Sequence, residues 1–353
     1  MTYEEARALF PVLERMAYLN AGTFGPLSRT TMGAVADQQR DDLELGRIGT
    51  AYYERVLGLR GDLRSSLGRL VGCDAAQIAL TSSTTDGCNI VLAGLGLTPA
   101  DEIVTTSEEH FGLLGPLHVS GARVIVAAPD PDAILAAVTA RTKLIAVSQV
   151  LWTTGQILPV LELRERSGLP VLVDGAQSVG AIPVDGRGLD FLTISGQKWL
   201  CGPDATGALV VADPDRLRIA RPSYFAQASH TRDGTFVPRD GAQRFEPNWI
   251  PGPSLAGLLA ALAQAPEWRF ERAYALAERL RDLLAPVAEL VTPDPRATLV
   301  AFRPAGRTAA DVVAALADRG VLVREIPGTG LVRASVGWWS NEDDVDRLVA
   351  GLA

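Results

Sequence analysis

Of the 33 basic residues in this chain two are lysine, Lys143 and Lys198, and the other 31 are arginine. Arginine keeps its proton at any working pH, whereas lysine can release it and act as a nucleophile or base. Lys198 follows Ser195-Gly196-Gln197, directly after the apolar run FLTIS, while Lys143 lies between Arg141 and the run LIAVSQV and reads as a surface turn. A second candidate is the acid that closes another apolar run, Val171-Leu172-Val173-Asp174-Gly175-Ala176-Gln177. An unpaired carboxylate there would be costly, so it needs a partner, the plain alternative being a cap on the next helix. The third candidate is Thr81-Ser82-Ser83-Thr84-Thr85-Asp86-Gly87, ahead of a helix expected to begin near Cys88-Asn89. Hydroxyls and free N–H groups at a helix start favour an anion such as phosphate. The loop is neither a Walker A sequence nor G-x-G-x-x-G, and a Ser/Thr cap without a ligand would look the same.

These loops need a scaffold. From about residue 50 to 245 short apolar runs (QIAL, EIVTT, RVIVAA, LIAVSQV, LPVLVD, FLTIS) alternate with amphipathic stretches such as DPDAILAAVTART, in which Asp130 or Asp132 would cap. The pattern predicts an α/β fold with a mostly parallel sheet covered on both faces. GALVVAD adds one further strand, expected to be antiparallel; an aperiodic stretch at about 221 to 252 follows, then a long helical region from Pro253 to about Leu284. The remainder reads strand, helix, strand, strand and a last helix capped by Ser340 or Asn341, a smaller α+β unit. The expected division is an N-terminal segment (1–17) packing on the small domain, a large domain (18–252), and an interdomain helix with the small domain (253–353). In a parallel sheet the loops at the carboxyl ends of the strands share one edge, where small ligands bind. An amine, a carboxylate and an anion cradle on that edge fit pyridoxal phosphate: the aldehyde on Lys198, the ring nitrogen against Asp174, the phosphate on the Ser/Thr loop.

The chain also resembles a known family, the class V aminotransferase and cysteine desulfurase group of fold-type I pyridoxal-phosphate enzymes. The resemblance covers nearly the whole length and is carried by YLNAGTFGP, TSSTTDGCN, EEH, VDGAQSVG, SGQKWLCGPDATGAL and RASVGWWSNEDDVDRL. It implies that Lys198 is the lysine bound to the cofactor, that Asp174 faces the ring nitrogen, that His110 stacks on the ring with a part in catalysis, and that Gln177 lies near the ring oxygen. Ser83, Thr84, Thr85, Ser195 and Gln197 would hold the phosphate. Arg333 would take the substrate carboxylate, and Asn20, Ala21 and Gly22 would border the same pocket, with Trp152 a further substrate contact. His118 and His230 are read as ordinary residues.

Several reactions use these parts. Cysteine desulfurases of the group need a cysteine on a mobile loop before the carboxylate-binding arginine, and Arg324 to Val332 contains none. SGQKWLCGP looks most like the cystine and cysteine C–S lyases, so β-elimination to pyruvate, ammonia and a thiol or persulfide is the first expectation. Transamination and isopenicillin-N-epimerase-like racemisation are the alternatives, and a non-catalytic cofactor-binding regulator ranks below them. Two departures stand out. Asn248-Trp249 occupies the place of a Gly-Thr pair whose threonine reaches the partner's phosphate, and Trp152-Thr153 stands where many relatives have an asparagine. The four tryptophans Trp152, Trp249, Trp338 and Trp339 are expected either to pack in the core or to line the pocket.

Composition narrows the rest. The 353 residues carry 41 acidic side chains and a net charge of −8, with no basic run, so nucleic acid is a poor partner and the ligand should be small; that it is an amino acid is what the resemblance implies. Three cysteines without a CxxC pair argue for a reduced, cytoplasmic protein with no metal site. No leader or run of 18 apolar residues is present, so no membrane partner is expected. The resemblance implies a homodimer.

Overall fold

The structure is a computed structural model and describes residues 1–352. Strand β1 (Ala17–Tyr18) precedes β2 (Ile78–Thr81), β3 (Glu102–Thr106), β4 (Arg123–Ala127), β5 (Thr142–Ser148), β6 (Val171–Asp174), β7 (Phe191–Ser195) and β8 (Gly207–Val211). Strands β2 to β8 form one seven-stranded sheet in the order β2-β8-β7-β6-β5-β3-β4, in which β8 alone runs against its neighbours. Val171, Leu172, Val173 and the whole of β7 are buried, as strands covered on both faces must be. One face packs Leu63, Leu67 and Val71 of the helix Gly49–Val71 with Leu255 and Leu258 of the helix Gly252–Gln264. The other packs Val91, Leu113 and Leu117 from the helices Thr84–Leu95 and Phe111–His118.

Between the sheets' sequences lies a hairpin, β9 (Gln227–His230) with β10 (Phe236–Pro238), inside the aperiodic stretch. That stretch is clamped by Glu246, buried at 2 % exposure, which accepts from Arg60 and Arg64 and from the backbone N–H of Leu80 on β2. The second sheet is antiparallel, β11 (Ala288–Leu290), β12 (Leu299–Pro304), β15 (Leu331–Ser335) and β14 (Arg324–Ile326), in the order β11-β12-β15-β14. β13 (Val321–Leu322) leaves it to pair in parallel with β1, so the start of the chain is bound to its end.

Three elements differ from expectation. The helix after β2 starts at Thr84, capped by Ser83, one turn before Cys88, because the Ser83 hydroxyl already accepts from Asp86 N–H. The long helical region is two helices, Gly252–Gln264 and Arg269–Leu284, broken where Pro266 cannot continue the hydrogen-bond ladder. The helix capped by Asp130 ends at Ala136, and Thr139 beyond it turns back to donate to Glu102. Trp338 and Trp339 are buried core, whereas Trp249 is 45 % exposed and stacks on Tyr52.

Candidate active site

The carboxyl ends of β2, β5, β6 and β7, the segment after β1, and the hairpin β14–β15 enclose a cavity of about 230 Å³. Thr84, Thr85, His110, Trp152, Asp174, Gln177, Ser83, Ser195, Gln197, Lys198, Arg333 and Gly22 all line it. Asn20 and Ala21 do not: Ala21 is fully buried, and Asn20 accepts from the Thr23 hydroxyl while bridging to Ser335. The wall also contains Thr23, Phe24, Ser148, Ala176 and Arg324, to which the sequence assigned no part in the site.

Lys198 occupies the turn that leaves β7, and that turn is pinned from outside: Gly25 N–H donates to the Gln197 carbonyl, and a Cβ on Gly25 would lie 2.0 Å from the Lys198 carbonyl oxygen. Its ammonium forms no ion pair within 4 Å among the described residues. Desolvation, assisted by Arg333 and Arg324 and opposed by Asp174, brings its pKa down to about 8. Asp174, the last residue of β6, accepts through Oδ1 from Ala176 N–H and the Thr193 hydroxyl, which leaves Oδ2 for the cavity. The Gln177 amide is held at both ends, donating to the Gly22 carbonyl and accepting from the Trp199 indole.

At the helix start, Asp86 N–H is taken by the Ser83 hydroxyl and Gly87 N–H by the Ser83 carbonyl. The N–H groups of Thr84 and Thr85 have no intrahelical partner and are the free donors of this end. Ser195 donates to Gln197 beside them. His110 caps the helix Phe111–His118 by accepting from Gly112 N–H through Nδ1. Its ring meets Trp152 edge-on with centroids 5.1 Å apart, and burial with the neighbouring Lys198 cation depresses its pKa, so the imidazole is neutral with its proton on Nε2.

Arg333 is fully buried, donates from Nη1 to the Trp152 carbonyl, and leaves Nε and Nη2 without partners. Trp152 Nε1 and Ser335 Oγ are likewise buried and unpaired. Desolvation and the neighbouring Arg324 lower the Arg333 pKa to about 9, which still leaves a cation at neutral pH. Arg324 stands directly opposite Arg333 across the β14–β15 pair and donates to the Thr23 hydroxyl. Two guanidinium groups in register on adjacent strands repel unless an anion lies between them. Buried donors without partners, a free carboxylate oxygen and a helix start with open N–H groups make up a donor set that fits pyridoxal phosphate and an amino-acid carboxylate. No cysteine lines the cavity among the described residues: Cys88 and Cys201 are buried elsewhere, Cys201 at φ 54° in the turn after Lys198.

Comparison with known proteins shows the family and the fold. The Aminotransferase class-V family profile matches residues 59–348. Isopenicillin N epimerase of Streptomyces clavuligerus is 31 % identical over 99 % of this chain and 97 % of its own, and a cysteine desulfurase of an Enterobacter species is 29 % identical over the same shares. Among solved structures, the complex of the cystine C–S lyase C-DES with its reaction product cysteine persulfide has a TM-score of 0.89 at 27 % identity, covering 97 % of this chain and 98 % of that one. A C-DES mutant with glycine covalently linked to the PLP cofactor has a TM-score of 0.90 at 27 % identity, covering 98 % of each chain.

Proposed function

The chain belongs to the aminotransferase class-V family and has the fold-type I architecture, and from that premise we propose that it is a pyridoxal-phosphate-dependent C–S lyase acting on cystine or another S-substituted cysteine. The observation that carries the reading is a cavity with two opposed guanidinium groups, Arg324 and Arg333, and no thiol in its wall. Pyridoxal phosphate, when bound, supplies an aldehyde that takes up an amine and a ring that withdraws electrons from the substrate α-carbon. In this reading Lys198 holds the aldehyde, Asp174 Oδ2 the ring nitrogen, and Thr84 and Thr85 N–H with Ser83, Ser195 and Gln197 the phosphate. His110 and Gln177 position the ring.

Arg333 binds the α-carboxylate with its two unpaired nitrogens, a fork that lysine could not supply. Once displaced by substrate, Lys198 Nζ takes the Cα proton; its depressed pKa keeps a usable fraction neutral near pH 7. With the cofactor bound, the chemistry this would supply is loss of sulfur from Cβ as a thiolate or persulfide, with water then giving pyruvate and ammonia. Arg324 binds a second anionic group, such as the distal carboxylate of cystine. Transfer of sulfur to the enzyme is disfavoured, since the turn from Pro327 to Gly330 is short and has no cysteine.

The test is product analysis with cystine, cysteine and S-methylcysteine, comparing Arg324→Gln with the unaltered chain. We expect pyruvate with released persulfide from cystine, and a KM for cystine raised about tenfold or more in the variant, the worth of one charge-assisted contact, with S-methylcysteine unaffected. Pyridoxamine phosphate accumulating without pyruvate would reject the lyase in favour of transamination. Inversion at Cα without pyruvate would favour the racemase, a reading supported by the 31 % identical epimerase. We also propose a homodimer, a reading supported by the exposed apolar side chains of Leu43, Leu45, Ile48 and Trp249. No described helix is long and apolar enough to cross a membrane.

A further inference from the structure

Behind the cavity wall lies a carboxyl group that the mechanism above does not use. Glu109, 5 % exposed, accepts from the Ser148 hydroxyl at 2.6 Å, from Ser148 N–H at 3.0 Å and from the Thr106 hydroxyl at 2.7 Å. No arginine or lysine lies within 4 Å of it among the described residues. The titratable groups around it are Asp174 on β6 and the Cys88 thiol from the helix Thr84–Leu95; its chain neighbours turn elsewhere, Glu108 accepting from the Thr153 hydroxyl and His110 from Gly112 N–H. Ser148 itself lines the cavity and is the register partner of Asp174 in the parallel pair β5–β6, so the two residues share a face.

A hydroxyl has one hydrogen and two lone pairs. While Glu109 is ionised, the single hydrogen of Ser148 is committed to it, and Ser148 offers the cavity lone pairs only. A proton on Glu109 Oε2 reverses the bond: the carboxylic acid donates to Ser148 Oγ, whose hydrogen must then turn away from Glu109, toward the cavity. We propose that Glu109 is a positioning residue for the cofactor, and that its proton decides whether the Ser148 hydroxyl beside Asp174 acts as acceptor or donor toward the ring. The proposal rests on the reading of this cavity as a pyridoxal-phosphate site. Burial, with the nearby Asp174 charge, raises the Glu109 pKa to about 7, so the reversal falls in the neutral range.

The probe is 4′-deoxypyridoxine 5′-phosphate, which keeps the ring and phosphate but has no aldehyde and so removes covalent capture by Lys198, whose own titration is shared by the proteins compared. Its affinity is measured by equilibrium dialysis on the full cofactor-stripped chain at pH 6 and pH 8, for the unaltered protein, Ser148→Ala, Glu109→Gln and the double variant. The ratio of affinities between the unaltered chain and Ser148→Ala cancels the ionisation of the probe phosphate. We expect this ratio to change about tenfold between the two pH values, the worth of one hydrogen bond, and to become flat when Glu109 is glutamine. A flat ratio with Glu109 present, or a ratio that still changes with Glu109→Gln, overturns the proposal while leaving the cofactor assignment standing. Failure of the unaltered chain to bind either the probe or pyridoxal phosphate overturns both. If Glu109→Gln does not fold, the unaltered chain and Ser148→Ala decide alone, since a flat ratio between them is sufficient refutation.

Discussion

Gly22 faces the buried guanidinium so closely that one methyl group tests the carboxylate site. A Cβ built there would lie 2.7 Å from Arg333 Nη2 and 2.9 Å from Ser335 Oγ. Ordinary contacts begin near 3.4 Å, so something must move by about half an ångström or more. Arg333 has little room: its Nη1 is tied to the Trp152 carbonyl at 2.7 Å and the side chain is fully buried. The methyl group therefore occupies the place where a carboxylate oxygen would meet Nη2, and the fork is reduced to Nε. Losing one charge-assisted hydrogen bond costs about 1.5–3 kcal/mol, which is roughly a 10- to 150-fold rise in the KM of any α-amino acid substrate. The assay is steady-state pyruvate formation by Gly22→Ala, with retention of pyridoxal phosphate measured in parallel by absorbance. Gly22 φ is not in the left-handed region, so the backbone accepts alanine and the effect belongs to the site. A KM within about twofold of the unaltered enzyme, with cofactor retained, would show that Arg333 is not where the substrate carboxylate binds.

Two further outcomes follow from charge and burial. Because the Lys198 pKa is depressed to about 8, its neutral, reactive form grows as pH rises to that value; the initial rate of pyridoxal phosphate capture by the stripped enzyme should rise through pH 7 and level off above about 8.5, measured by stopped-flow absorbance. A rate still climbing tenfold per pH unit at pH 9 would contradict that microenvironment, and Lys198→Ala should lose the bound-cofactor absorption band altogether. Glu246→Ala should destabilise the chain by about 3–5 kcal/mol in urea unfolding, since it strands Arg60 and Arg64 without their counter-charge; a loss below about 1 kcal/mol would mean the clamp is dispensable.

The strands of the large sheet were legible because they are continuous apolar runs, three of them ending in a loop with an identifiable job: Asp174 after VLV, Lys198 after FLTIS, the Ser/Thr loop after QIAL; their order in the sheet was not. β8 runs antiparallel to both its neighbours, as expected for GALVVAD. Arg324 was missed: one arginine among 31 carries no local signal, and its meaning comes from lying opposite Arg333 across a hairpin. A signal was available in hindsight, since the two are nine residues apart around a Pro-Gly-Thr-Gly turn, and the pairing of an antiparallel hairpin sets such positions facing. Glu109 was read only as part of EEH, because nothing in that triplet shows that one acid is buried under Ser148 and the other spent on Thr153. The early start of the helix at Thr84 hid in the same way, a serine cap being one of several equivalent hydroxyls in the loop.

The parallel pairing of β1 with β13 has a consequence for how the enzyme comes into being. Leu19 N–H donates to the Leu322 carbonyl and Ser335 N–H to the Leu19 carbonyl, while a few residues on, the same strip of chain delivers Gly22 to Gln177 and Gly25 to Gln197. Residues 17–25 cannot settle before residues 320–335 are in place. A chain ending before residue 321 would carry lysine, aspartate and phosphate loop intact, yet β1 would have no strand to join and the cavity would lack both Arg324 and Arg333. The second sheet is thus built into the geometry as a condition for a finished cavity.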